Sequence, residues 1–161
     1  MTKKIVQRDM DVTAFVRSEN ATVAQKAIVK DIMDLTAEDL VGFDAVVDAF
    51  GAWTPETLSQ HSTTLEHLCD ILSGSETRLL VVGGAGSLYV NPEHTLTVSE
   101  GPDFPEMFKP LASAMGDALA DLRKRDGVNW TYVSPAGDFQ FDGERTGEYI
   151  LGGEELTLNE R

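Results

Sequence analysis

Residues 78–90 read RLLVVGGAGSLYV, and their reading decides the fold. Residues 79–82 are apolar with no polar residue between them, the pattern of a strand buried on both faces. The run ends in Gly83-Gly84-Ala85-Gly86-Ser87, a turn so poor in side chains that its backbone can lie flat against a ligand. In an open parallel sheet, ligands collect beyond the carboxyl ends of the strands, and this turn stands at such an end.

Outward from it, the chain alternates between short apolar runs and longer periodic ones. Residues 3–10 read as the end of a helix, and residues 11–16 (DVTAFV), 25–30 (QKAIVK), 44–49 (DAVVDA) and 128–134 (VNWTYVS) as strands. Thr36 and Asp39 have the spacing of a capping box. A helix is predicted to start at Thr54, with Pro55 in its first position and Leu58, Leu65, Leu68, Cys69 and Leu72 on one buried face. A second spans residues 106–125, burying Phe108, Leu111, Met115, Leu119 and Leu122. Residues 89–105 contain three prolines and read as irregular, and residues 139–161 as loops and short strands, with a hairpin turn at 152–155. Strands alternating with helices imply an α/β fold with a parallel sheet and right-handed crossovers. No repeat or linker interrupts the 161 residues, which are expected to form one domain.

Composition narrows the function classes. Hydrophobic content of 42% and charged content of 25% are those of an ordinary globular chain. A net charge of −14 argues against nucleic acid or anionic membrane as partner. It leaves room for an anionic cofactor, because one arginine or a helix N-terminus can hold a phosphate locally. Cys69 is the lone cysteine, which suits a reducing cytosol, and no run approaches the roughly 18 apolar residues of a membrane span. With no signal-peptide pattern after Met1, the chain is expected to be cytoplasmic. His61, His67 and His94 have no metal-ligand spacing, so no metal site is expected.

Gly84-Ala85-Gly86-Ser87-Leu88-Tyr89 matches the first two glycines of the dinucleotide fingerprint G-x-G-x-x-G. Tyrosine stands where the third glycine packs helix on strand, and Asn91-Pro92 breaks any helix that would face a pyrophosphate. The turn therefore belongs to a later strand, beyond the switch point, where the reactive end of a cofactor would sit.

Taken in order, DVTAFVRS, VKDIMDL, FDAVVDAFG, LLVVGGAGS, PLASAMGDALADLRK, VNWTYVSPAGDF and GEYILGGEELTLN resemble bacterial NAD(P)H-binding proteins of the NADH-flavin reductase-like kind. These are atypical short-chain dehydrogenases/reductases, related to biliverdin reductase B and NmrA-like proteins. The resemblance implies a Rossmann-like three-layer parallel sheet of order 3-2-1-4-5-6. Members begin with a central strand and a G-x-T-G-x-x-G loop that precede any segment found here, and they continue beyond the last one. The chain is thus expected to lack its first strand, leaving two central strand edges unpaired.

The resemblance also assigns site residues. Arg17, with Ser18, would hold the 2′-phosphate of NADP(H), which it favours over NAD(H). Asp31 and Ile32 would flank adenine. Ala49, Phe50 and Gly51 would let ribose and phosphates approach the switch-point strand. Gly83, Gly84, Pro135 and Ala136 would bracket the nicotinamide, with Ser87 the candidate catalytic group. Each has a plainer reading, as a strand-end, turn or core residue. No tyrosine is followed four residues on by lysine, which weighs against alcohol–ketone chemistry and leaves flavin or another planar acceptor as substrate. The expected function is an NAD(P)H-dependent reductase acting alone or as a homodimer. The alternatives are an NmrA-like dinucleotide sensor without turnover and an inactive truncated product.

Overall fold

A computed structural model of the chain describes residues 2–137, 143 and 147–158; the expectation for residues 139–161 falls partly outside them. The protein forms two compact units, Met1–Gly42 and Phe43–Arg161.

The first unit contains α1 (Thr2–Val6), β1 (Thr13–Val16) and β2 (Lys26–Val29), the strands paired in parallel with Thr13 opposite Lys26 and Val16 opposite Val29. The Gln25 side chain fixes this register: its Oε1 accepts from Val12 N–H and its Nε2 donates to the Met10 carbonyl, both at 2.9 Å. After β2, Asp31 accepts from Met33 N–H at 2.9 Å and caps a single 3-10 turn, Ile32–Asp34. Thr36 and Asp39 close the expected capping box. Asp39 also receives Lys30 Nζ at 2.5 Å, and that hydrogen bond with those from Thr36 pulls its carboxyl down to about 2.

The second unit contains β3 (Ala45–Asp48), α2 (Gln60–Leu72), β4 (Arg78–Val82), α3 (Lys109–Leu122) and β5 (Trp130–Val133). Its sheet is parallel, with order β3-β4-β5. α2 and α3 pack on each other. Leu65, Leu68, Cys69 and Leu72 of α2 and Ala118, Leu119 and Leu122 of α3 are buried with Leu79 and Val81 of β4. Arg125, just past α3, donates to Asp70 of α2 at 2.6 Å. The fold is thus the α/β, Rossmann-like arrangement expected, with its parallel strands in two sheets.

Several local expectations need correction. Regular α2 begins at Gln60, because the Thr57 hydroxyl donates back to the Thr54 carbonyl and holds the preceding residues in turns. Leu58 is consequently half-buried. The helix at residue 106 opens as a 3-10 turn, Glu106–Phe108, that leaves Phe108 46% exposed; Leu111 and Met115 are half-buried. β4 buries Leu79 and Val81 on its helix-covered face and leaves Leu80 and Val82 partly accessible. Residues 152–155 do not fold as an isolated hairpin turn: Glu155 pairs in parallel with Tyr89. Among the described residues no helix is long and apolar enough to cross a membrane.

Candidate functional site

Because β3, β4 and β5 run parallel, their carboxyl ends share one edge of the sheet. Ala49, Phe50 and Gly51 leave β3 there, Gly83–Ser87 leave β4, and Pro135 and Ala136 follow β5. Gly83 N–H still donates to the Val133 carbonyl at 2.9 Å, so the glycine turn starts in register with β5. The residues assigned to the switch-point strand and to the nicotinamide end therefore come together. In the first unit, Arg17 and Ser18 leave β1, and Asp31 and Ile32 leave β2, at the corresponding edge of the smaller sheet. Arg17 and Ser18 are exposed, and no ion pair holds Arg17 among the described residues. Asp31 is committed in part to its own backbone through Met33.

The row Asp48–Val81–Tyr132 crosses the three strands on the helix-covered face. His61 and Leu65 of α2 and Met115 and Ala118 of α3 lie over it, enclosing a cavity of about 20 Å³. Asp48 is 8% exposed, and its Oδ1 accepts from Phe50 N–H at 2.9 Å. Burial pushes its carboxyl above the ordinary value, against that hydrogen bond and the attraction of His61. His61 Nε2 lies 3.1 Å from the Ala52 carbonyl, which can only accept, so this nitrogen donates. The imidazole stands edge-on to Phe50, ring centroids 5.7 Å apart.

The Tyr132 ring lies across Gly83, where a Cβ would come within 2.0 Å of it. Burial pushes the phenol up from its ordinary value, and the Gly84 backbone and Ser87 side chain act against that shift. Ser87 Oγ donates to the Gly84 carbonyl at 3.2 Å, inside the 3-10 turn Ala85–Ser87.

On its other side Ser87 faces a cavity of about 410 Å³ between α3 and residues 89–100. Hydroxyls from Tyr89, Thr97, Ser99 and Ser113 line it, with Lys109 and Arg123 as cations and Glu100 and Asp117 as anions. Its outer wall is firmly built. Tyr89 bridges Thr97 on one side and Glu155 on the other and stacks on His94 at 4.3 Å; His94 meets Glu155 at 3.2 Å, and Arg123 holds Glu154 at 2.9 Å. The volume is that of a small-molecule pocket.

Sequence reasoning missed this pocket and the Asp48–Tyr132 row. The aspartate closing an apolar strand in DAVVDA was a signal for Asp48. Tyr132 carried none, since its neighbours match no motif and Gly83, against which its ring packs, ends another strand.

A family described as NAD(P)H-binding matches residues 1–160. An uncharacterized Bacillus subtilis protein, YwnB, is 42% identical over 160 residues, covering 98% of this chain and 75% of the relative. The crystal structure of "a putative NADH-flavin reductase" from Streptococcus pneumoniae is 54% identical, with a TM-score of 0.95, covering 98% of this chain and 75% of that one. The oxidoreductase ylbE from Lactococcus lactis, 22% identical with a TM-score of 0.72 over 98% of this chain and 71% of its own, shares the fold.

Proposed function

Because the chain belongs to the NAD(P)H-binding family, we propose that it is an NADPH-dependent reductase that passes a hydride to a flavin or another planar acceptor. The observation that carries this reading is that the parallel β3, β4 and β5 end at one sheet edge, and that Ser87, after β4, lines the pocket of about 410 Å³. The likeness to the streptococcal protein supports the acceptor class.

Each unit holds residues of the kind that one part of such a cofactor needs. The exposed guanidinium of Arg17, with Ser18 beside it, suits a 2′-phosphate. Ile32 would cover one adenine face, and Asp31 would accept from its amino group. At the other end, Gly83 and Gly84 carry no side chain into the strand edge, and Pro135 and Ala136 follow the neighbouring β5. Phosphates and ribose would pass Ala49, Phe50 and Gly51. No glycine loop at a helix N-terminus stands among the described residues, so pyrophosphate contacts are not assigned. The bound nicotinamide supplies the hydride; Ser87 orients the acceptor, and the wall around Tyr89 limits its contact with water.

Titration with NADPH followed by flavin-dependent NADPH oxidation tests the reading. Binding with steady oxidation in the presence of FMN is expected. Binding without oxidation by any planar acceptor favours a dinucleotide sensor, a reading that the missing Tyr-x-x-x-Lys pair also permits. Removing the Arg17 contact by R17A is expected to weaken NADPH about tenfold, the size of one charge-assisted hydrogen bond, and to leave NADH unchanged.

A further inference from the structure

Hydroxyls and charges line the pocket of about 410 Å³, and the bonds within its wall decide what each can still offer a ligand. The Thr97 hydroxyl donates its one proton to Glu100 Oε2 at 2.8 Å. The contact between Thr97 Oγ1 and Ser99 Oγ, at 3.2 Å, is then filled by the Ser99 proton. The Ser87 proton goes to the Gly84 carbonyl at 3.2 Å. All three hydroxyls therefore have lone pairs, and no uncommitted proton, left for a ligand. Glu100 and Asp117 add carboxylates, which only accept when ionised. Hydrogen bonds from the Thr97 N–H and hydroxyl hold the Glu100 carboxyl below its ordinary value, so it is charged at neutral pH.

The cations of the lining are committed in the same way. Lys109 Nζ lies 2.5 Å from Glu106 Oε1, and Arg123 Nη2 lies 2.9 Å from Glu154 Oε1. Among the described residues of the lining and their direct ion-pair partners, two cations stand against four carboxylates. The whole chain adds to that field with a net charge of −14. A phosphate would bring acceptors and negative charge to a wall that already supplies both. A chain of hydroxyl groups would bring donors, each of which the wall can receive.

We propose that the pocket takes a planar acceptor carrying uncharged hydrogen-bond donors, a polyhydroxylated chain above all, and discriminates against the same acceptor once phosphorylated. This rests on the reductase reading above and names the acceptor class within it. Asp117 sets the choice directly, by receiving donors and repelling anions. Glu106 acts at one remove, by neutralising Lys109.

Three flavins share one ring and separate the two halves of the proposal. Lumiflavin has no hydroxyl chain, riboflavin has the chain, and FMN has the chain and a phosphate. Flavin fluorescence titrations in excess NADP⁺ read their binding without turnover. Riboflavin is expected to bind about fivefold tighter than lumiflavin and about tenfold tighter than FMN. D117N and E106Q are each expected to move the FMN-to-riboflavin Kd ratio about threefold toward FMN, and added salt to narrow it by screening. A merely loosened wall would weaken all three flavins together and leave that ratio in place. FMN binding as tightly as riboflavin, riboflavin binding no tighter than lumiflavin, or a ratio unmoved in both variants overturns the proposal. Binding of none of the three overturns it as well. If riboflavin binds best and no flavin oxidises NADPH, the reductase reading falls and the selectivity stands. Oxidation that proceeds with no preference among the three overturns the selectivity alone.

Discussion

Gly83 has an ordinary backbone conformation and is glycine for space alone, since a Cβ there would meet the Tyr132 ring at 2.0 Å. Neither strand can yield easily, because Gly83 N–H is bound to the Val133 carbonyl. G83A is therefore expected to cost about 1–3 kcal/mol, the usual penalty of overpacking, and to displace the Tyr132 ring, measured by urea unfolding and Tyr132 NMR shifts. Asp48 is the other residue of that row with a measurable consequence. Its carboxyl titrates above the ordinary 3.8 because burial disfavours its charge, so the folded state holds the proton more tightly than the unfolded chain. Such a group costs nothing below the unfolded pKa; the cost grows as pH rises toward the folded value and then stays constant. D48N keeps the oxygen that receives Phe50 N–H and removes the charge. Its melting temperature is expected above wild type at neutral pH, with the gap closing as acid protonates Asp48. A gap that does not change with pH would show that the charge is not its cause.

At the scale of elements, α2 and α3 cover one face of the three-stranded sheet, and Leu72 is among their most completely buried side chains, at 1% exposure. L72A is expected to cost about 2–5 kcal/mol in chemical unfolding, whereas the same change at Leu96, 39% exposed, costs well under 1 kcal/mol. The contrast follows from a periodicity that was legible in the sequence. Leu65, Leu68, Cys69 and Leu72 sit on one helical face, and all are buried. Legibility failed where local hydrogen bonding overrode the pattern. Thr54 and Pro55 look like a helix start, yet the Thr57 hydroxyl bonds both backbone groups of Thr54 and residues 55–59 stay in turns. It also failed where a contact joins distant segments. The Gly83–Ser87 turn could be placed at a strand end from sequence, because apolar run and glycines are contiguous. The pocket beside it could not, because its wall needs Tyr89 to pair with both Thr97 and Glu155. Arg17, Ser18, Asp31 and Ile32 stand at strand ends as read, just past β1 and β2.

At the scale of the whole molecule, the two units bury very different amounts of apolar surface. Among the described residues, Leu35 and Leu40 are the buried hydrophobic side chains of Met1–Gly42, while the set around Leu68, Leu79 and Leu122 belongs to Phe43–Arg161. All four residues of β2 are exposed, with Val29 at 65%. β4 by contrast is paired on both sides and carries Leu79, which is fully buried. Local opening costs little where few apolar contacts must be broken, and backbone hydrogen bonds of a two-stranded sheet are lost together once its strands separate. Amides of β1 and β2 are therefore expected to exchange with solvent at least a hundredfold faster than those of β4 in native-state hydrogen exchange, a difference of about 2.7 kcal/mol. The Lys30–Asp39 pair contributes a little to holding the first unit, and acid that protonates Asp39, near its lowered value of about 2, weakens it further. Exchange of β1 and β4 at one common rate would mean that the two units open as one, and NADPH that slows β1 exchange more than β4 would place its adenosine end on the first unit.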